Sequence, residues 1–306
     1  MKIDIITGFL GAGKTTFISG YGKHLLDKGE RVLVIENEFG VLGIDGSLLK
    51  QEKLEVVELS GGCACCTQKT GLVSYIREAY DKGYDRAILE PSGIYNLDTF
   101  FDLLEDPLLK DACELNAIIT IVKPDFIKYG SENYRNIFMS QFLSTGAIVF
   151  SNTQSYESDY IDNSLLQLCD FAKENNSLFD IANISVYTKP WDTFTESDFE
   201  NLSSIGRSYV EHKKILENHV SLIENHFFSG KVKEYKNIEE FAEYMLSNYD
   251  VLRMKGFMKA DGKIYAVNYT DNCKLIKESY NKHTLINILG VDIDCVKVKE
   301  KLKSLS

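Results

Sequence analysis

Residues 8–15 of this 306-residue chain read GFLGAGKT, a full match to G-x-x-x-x-G-K-[ST]. The chemistry this spacing serves is triphosphate binding. Gly8, Gly11 and Gly13 let the backbone wrap closely, with Ala12 between them, and turn N–H groups inward; the helix that starts there adds its positive N-terminal end. Lys14 is placed to reach the β and γ phosphates, and the Thr15 hydroxyl to hold Mg²⁺. With Thr16, these residues form the expected nucleotide-binding loop. An acidic residue and a glycine should follow at the end of another strand, to hold the magnesium ion or its water and to sense the γ-phosphate. LEPSG (89–93) offers Glu90 and Gly93, which complete an expected catalytic set of Lys14, Thr15, Glu90 and Gly93. The blander reading is a glycine-rich turn that happens to carry Lys-Thr.

A second cluster lies at residues 61–67, GGCACCT, where Cys63, Cys65 and Cys66 fall within four positions of a chain with seven cysteines. A Cys65–Cys66 disulfide would need a strained ring, and Cys63–Cys65 is poorly shaped for one. Cys63 and Cys66 have the C-x-x-C spacing of a redox pair. Metal binding fits the density best, since soft thiolates on a flexible loop converge on Zn²⁺ or Cu⁺. Three thiolates leave a tetrahedral zinc site one ligand short, which suits a site that releases its metal. A metal shared between two protomers fits equally well, so a homodimer stays open. Cys113, Cys169, Cys273 and Cys295 are scattered and read as small apolar core residues. His212, His219 and His226 recur every seven residues and would share a face of one continuous helix; solvent-facing histidines are the plainer reading and a metal relay the sharper one. DLLEDP (102–107) reads as an exposed helix end rather than paired catalytic carboxylates.

Elements must position these groups. Short apolar runs alternate with helical stretches through the first half, the pattern of a mostly parallel α/β sheet with helices on both faces. KIDIIT (2–7), RVLVIE (31–36), LEVVEL (54–59), RAILE (86–90), NAIITIV (116–122) and AIVFS (147–151) read as its strands. Residues 196–226 are polar and periodic, with 196–219 read as a helical connector and SLIENHFF (221–228) as the first strand-like run after it. Beyond it, strand-like runs mix with helices at 238–246 and the C-terminus, as in a small α+β domain. The expected division is 1–200 and 201–306. Hydrophobic content of 44% with 26% charged residues is that of a soluble globular protein. No apolar run approaches the roughly 18–20 residues of a membrane span. A net charge of −11 opposes standing attraction to nucleic acid or anionic lipid. No secretory signal is read at the N-terminus, and a cytoplasmic location is expected.

In order along the chain, GFLGAGKTT (8–16), ENEFGVLGIDGSLL (36–49), ELSGGCACCT (58–67) and LEPSGI (89–94) resemble the CobW family of metallochaperone P-loop GTPases. RMKGF (253–257) and LINILGVDID (285–294) are similar to stretches of that family's C-terminal domain. The resemblance implies GTP hydrolysis, a metal site at C-x-C-C, a nucleotide-responsive second domain and delivery of zinc or cobalt to a client metalloprotein. It makes 37–45 the first switch. Two departures stand out. The second Glu of the family's N-E-F-G-E-x-G-I-D is Val41 here, which leaves Glu38 as a candidate ligand beside the cysteines. The guanine-reading N-K-x-D is replaced by Ser151-Asn152-Thr153-Gln154. Neutral Gln154 forgoes the charge-assisted pair with guanine, and an amide there meets adenine equally well. GTP is the expected nucleotide and ATP the alternative. A non-hydrolysing nucleotide- and metal-binding regulator is the rival reading, and a small-molecule kinase a third.

Overall fold

The computed structural model describes residues 1–37, 54–58, 67–91, 93, 97–126, 132–175, 181, 184–207, 223–270 and 273–306. These fall into two compact units, one carrying the described residues up to Arg207 and the other those from Ile223 onward.

The first unit is built on a seven-stranded sheet. Its strands are β1 Lys2–Gly8, β2 Val32–Asn37, β3 Glu55–Glu58, β4 Arg86–Pro91, β5 Glu114–Val122, β6 Ala147–Phe150 and β7 Ser185–Tyr187, in the order β3-β2-β4-β1-β5-β6-β7. Every pairing is parallel. β1, KIDIITG, is rich in β-branched residues and buried from Ile3 onward, as a central strand covered on both faces requires. The helices are α1 Lys14–Asp27, α2 Thr67–Asp81, α3 Asp98–Leu104, α4 Glu132–Leu143, α5 Ser158–Asn175 and α6 Glu196–Leu202. On one face Ile6, Val34, Ile88 and Ile119 pack against Phe17, Ile18, Tyr21 and Leu25 of α1. On the other, Ile3, Ile5, Leu33 and Ile35 pack against Leu72, Val73 and Ile76 of α2 and Phe100 of α3. Each such side chain contributes about 1.5–3 kcal/mol through burial, so helices cover both faces as the alternating pattern predicts.

A polar lock ties the amino ends of the central strands together. Buried Arg86 donates to Asp4 at 2.7 Å and, through two nitrogens, to Glu30 at 2.7 and 3.0 Å. Asp4 also accepts from Tyr21 and Asn116, both at 2.6 Å. Burial pushes the Asp4 carboxyl up, against the pull of Arg86. Arg86 further donates to the Ser203 carbonyl at 3.1 Å. The carboxyl ends of the strands are thereby left to the loops that carry the chemistry.

Two expectations need correction here. Residues 201–207 were expected to open the second domain. Instead Gly206 forms a parallel bridge with Ala117, and its carbonyl accepts the Ile118 N–H at 3.0 Å. The polar connector is also not one helix, because α6 ends at Leu202 and Gly206 takes φ +75°.

The second unit has strands β8 Ile223–Phe228, β9 Asp250–Ala260, β10 Lys263–Thr270, β11 Cys273–Ser279 and β12 Leu285–Val291, with helices α7 Tyr235–Asn248 and α8 Cys295–Leu305. The order is β11-β10-β9-β12-β8, and each pairing is antiparallel. Ile238, Phe241 and Met245 of α7 and Val298 and Leu302 of α8 bury Met254, Met258, Val267, Ile286 and Ile288. This is an α+β layer pair, as expected. His226 lies on β8 and not on a helix shared with His212 and His219, because Ile223–Phe228 pairs with β12. No described helix is long and apolar enough to cross a membrane.

Candidate functional site

β1 runs out at Gly8, where an added Cβ would lie 2.2 Å from the Ile121 carbonyl oxygen of β5. Only glycine fits so close to a neighbouring backbone. The chain then turns through Gly11 and Gly13, both at positive φ, and buried Ala12 donates its N–H to the Phe9 carbonyl at 3.1 Å. Gly13 is the N-cap of α1 and has no side chain to cap the first turn; the unshared N–H groups of a helix start are what an anion takes. Lys14 is 7% exposed, and its ammonium donates to the carbonyls of Gly8 at 3.0 Å and Phe9 at 3.3 Å. The cation thus lies across its own loop.

β4 is the parallel neighbour of β1, with Leu89 opposite Ile5, and this register brings the end of β4 beside the loop. The Thr15 hydroxyl lies 3.0 Å from both oxygens of the Glu90 carboxylate. A hydroxyl and a carboxylate are the hard oxygen donors that Mg²⁺ prefers, so the pair fits that ion. Gly93 abuts the loop from the same side: an added Cβ would lie 2.5 Å from the Leu10 nitrogen. Its carbonyl accepts from Gln141 of α4 at 3.1 Å. The expected catalytic set of Lys14, Thr15, Glu90 and Gly93 is therefore brought together at one edge of the sheet. Thr16 is exposed on the first turn of α1.

Beyond β6, Ser151 is anchored by its N–H to the Val122 carbonyl at 2.8 Å. Asn152 takes the left-handed conformation, φ 54°, and opens a 3₁₀ turn at Thr153–Ser155. Asn152 and Gln154 are exposed while Ser151 and Thr153 are buried. This turn borders the loop, since a Cβ on Gly13 would lie 3.8 Å from that of Ser151.

Trp191, the chain's single tryptophan, is a residue that sequence reasoning missed. Its Nε1–H donates to the Phe150 carbonyl at 2.8 Å, and its ring stands edge-on to Phe17 at 5.6 Å. The same ring would be 3.2 Å from a Cβ on Gly13. It braces the loop and the turn after β6 together. The available signal was its uniqueness and its place just after the short run ISVY (184–187), which holds the unexpected edge strand β7.

Cys63, Cys65, Cys66 and Glu38, with residues 38–45, lie outside the described residues. The chain enters the cysteine segment from the carboxyl end of β3 and leaves it into α2, while β2 ends at Asn37 on the same edge of the sheet. Among the described residues no three His, Cys, Asp or Glu side chains converge to hold a metal ion.

Comparison with known proteins places this geometry in a family. The CobW/HypB/UreG nucleotide-binding domain matches residues 2–177, more than half of the chain. The zinc chaperone CobW of Pseudomonas aeruginosa is 36% identical over 144 residues, 43% of this chain and 37% of that protein. The zinc chaperone YeiR of Escherichia coli is 36% identical over 146 residues, 44% of this chain and 42% of that protein. With those two relatives the chain thus shares less than half of their length. The zinc chaperone YjiA of Escherichia coli is 27% identical over 293 residues, 86% of this chain and 83% of that protein. By the match across residues 2–177, the chain belongs to the CobW/HypB/UreG family.

Proposed function

We propose that this protein is a slow, Mg²⁺-dependent nucleoside triphosphatase, GTP being its first substrate, whose nucleotide state gates binding of a transition metal and its delivery to a client metalloprotein. The observation that carries the nucleotide half is the meeting of Thr15 with Glu90 beside a loop whose walls are Gly8, Gly13 and Gly93. Thr15 and Glu90 would hold the magnesium ion. When bound, that ion neutralises charge on the β and γ phosphates. Lys14 exchanges its two loop carbonyls for phosphate oxygens and stays desolvated, where a charge-assisted contact is strongest. Gly93, with no Cβ, lets the turn after β4 pack directly on the backbone of Phe9 and Leu10, which keeps it beside the phosphate loop where a γ-phosphate sensor belongs.

The metal half rests on Cys63, Cys65 and Cys66, with Glu38 as a further ligand. Zinc is the first cargo by similarity to relatives named zinc chaperones, and Co²⁺ is a second. Support for coupling comes from the sheet: β2 and β3, which lead into the switch and cysteine segments, are parallel neighbours in the sheet that carries the phosphate loop.

One observation favours a second base. Gln154 is exposed at the turn beside the loop and carries no charge, so ATP competes with GTP on this reading. Competition of GTP and ATP against a fluorescent GTP analogue, with and without Mg²⁺, tests the proposal. Mg²⁺-dependent displacement by GTP ahead of ATP supports it, ATP ahead of GTP reassigns the base, and no binding of either contradicts it. Phosphate release then separates a triphosphatase from a non-hydrolysing regulator.

A further inference from the structure

We infer that Cys295 is a reactive thiol of the second unit, a modification site for low-molecular-weight disulfides, served by His226 as base and Glu224 as the group that orients it. Glu224 and His226 are two residues apart on β8 and so project from one face of the strand. Cys295 is the first residue of α8, just after its N-cap Asp294. The His226 Nδ1 is 3.1 Å from the Cys295 sulfur, and its Nε2 is 2.9 Å from the Glu224 carboxylate. The same Glu224 oxygen accepts the Ile293 N–H at 3.2 Å, which ties it to the turn that delivers Cys295.

A carboxylate only accepts, so Nε2 carries the ring proton and Nδ1 presents its lone pair to the thiol. Nucleophile, base and orienter are then in line within hydrogen-bond reach, the arrangement that activates a cysteine. The His226 hydrogen bond holds the Glu224 carboxyl below its usual range, and the carboxylate is therefore anionic when His226 takes up the thiol proton. The His226 side chain is 26% exposed, so a small reagent reaches the pair. The three groups line up across the imidazole instead of converging on one point, which is why they form a proton relay and not a metal cage. Cys113 and Cys169 have no such histidine partner, and both thiols are pushed up by burial.

The step is thiol–disulfide exchange. His226 Nδ1 takes the thiol proton, the Cys295 thiolate attacks one sulfur of the disulfide, and a new S–S bond forms as the old one breaks. The leaving thiolate departs and receives the proton from His226. The two halves of the reagent end as a mixed disulfide on Cys295 and a free thiol, with no other oxidant. The nucleotide reading above plays no part in this site.

The full-length chain is treated with 2,2′-dithiodipyridine, a neutral disulfide, and the rate at each cysteine is read by peptide mass mapping. We expect Cys295 to react at least about tenfold faster than Cys113 and Cys169. His226→Gln should slow Cys295 by about tenfold or more while the slow rates at Cys113 and Cys169, which report an intact fold, stay unchanged. Glu224→Gln should move the pH profile of the Cys295 rate to higher pH; Tyr249, from the end of α7, and Asp294, the neighbour in sequence, are the other titratable groups beside the thiol. A Cys295 rate no faster than those of Cys113 and Cys169, or one that His226→Gln leaves unchanged, overturns the assignment.

Discussion

Thr15 and Glu90 are far apart in sequence, and their contact is the residue-scale core of the account. Removing the hydroxyl leaves a half-buried carboxylate facing the loop and deletes one oxygen donor to magnesium. A hydrogen bond to a charged group is worth about 1.5–3 kcal/mol, so Thr15→Ala should weaken nucleotide binding tenfold or more when Mg²⁺ is present. With the metal chelated, the variant and the native chain should bind alike. Dissociation constants measured in both conditions check this, and an equal loss in both would mean that Thr15 serves the loop and not the ion. Gln154→Asp restores a carboxylate at the turn beside the loop. It should raise the preference for GTP over ATP by about tenfold, read as a ratio of affinities. The phosphate loop was legible because its motif fixes backbone and side-chain roles together, and Glu90 because it ends a strand. Trp191 was not legible. Its role is a contact with Gly13 and the Phe150 carbonyl, which exists only once β7 has been laid beside β6.

At the scale of elements, each piece is held by chemistry that can be tested apart from catalysis. The start of α6 is a capping box in which Thr195 and Asp198 satisfy each other's backbone N–H groups. Asp198 also accepts from Lys189 at 2.6 Å. The Lys189 contact first, then Thr195, draws its carboxyl down from its usual value near 3.8 to about 2. A depressed carboxyl contributes stability above its unfolded value, and that contribution is lost as pH falls from about 4 towards 2. Asp198→Asn should therefore lower the unfolding midpoint near neutral pH. The difference from the native chain should shrink as pH falls through about 2 and vanish only below it, which paired melts across that range would show. Apart from the short edge strand β7, the strands of both sheets were legible from their apolar runs. The helical connector was not, since the polar periodicity read over 196–219 runs on past α6, which ends at Leu202. Gly206 and the bridge to Ala117 end the helix, whereas the strand-like run SLIENHFF (221–228) does hold a strand, β8, paired with β12. Of the histidines at every seventh position, His226 is on a strand and so shares no helix face with the others.

The whole molecule joins a parallel sheet that presents a phosphate loop at its carboxyl edge to an antiparallel unit with helices on one face. The parallel order sets the carboxyl ends of β1, β2 and β3, after which the phosphate loop, residues 38–45 and the cysteines follow in sequence, on one edge of the sheet. That shared edge is the physical reason to expect nucleotide and metal to feel each other. Their coupling is reciprocal: whatever factor nucleotide imposes on metal affinity, metal must impose on nucleotide affinity. The direct measurement is the zinc affinity of the full chain, with and without a non-hydrolysable GTP analogue and Mg²⁺, repeated with the ATP counterpart. A shift of about tenfold, or about 1.4 kcal/mol of coupling, is expected with the GTP analogue. A shift with the ATP analogue alone would move the base and keep the coupling. Zinc affinity unchanged by either nucleotide would contradict the central claim.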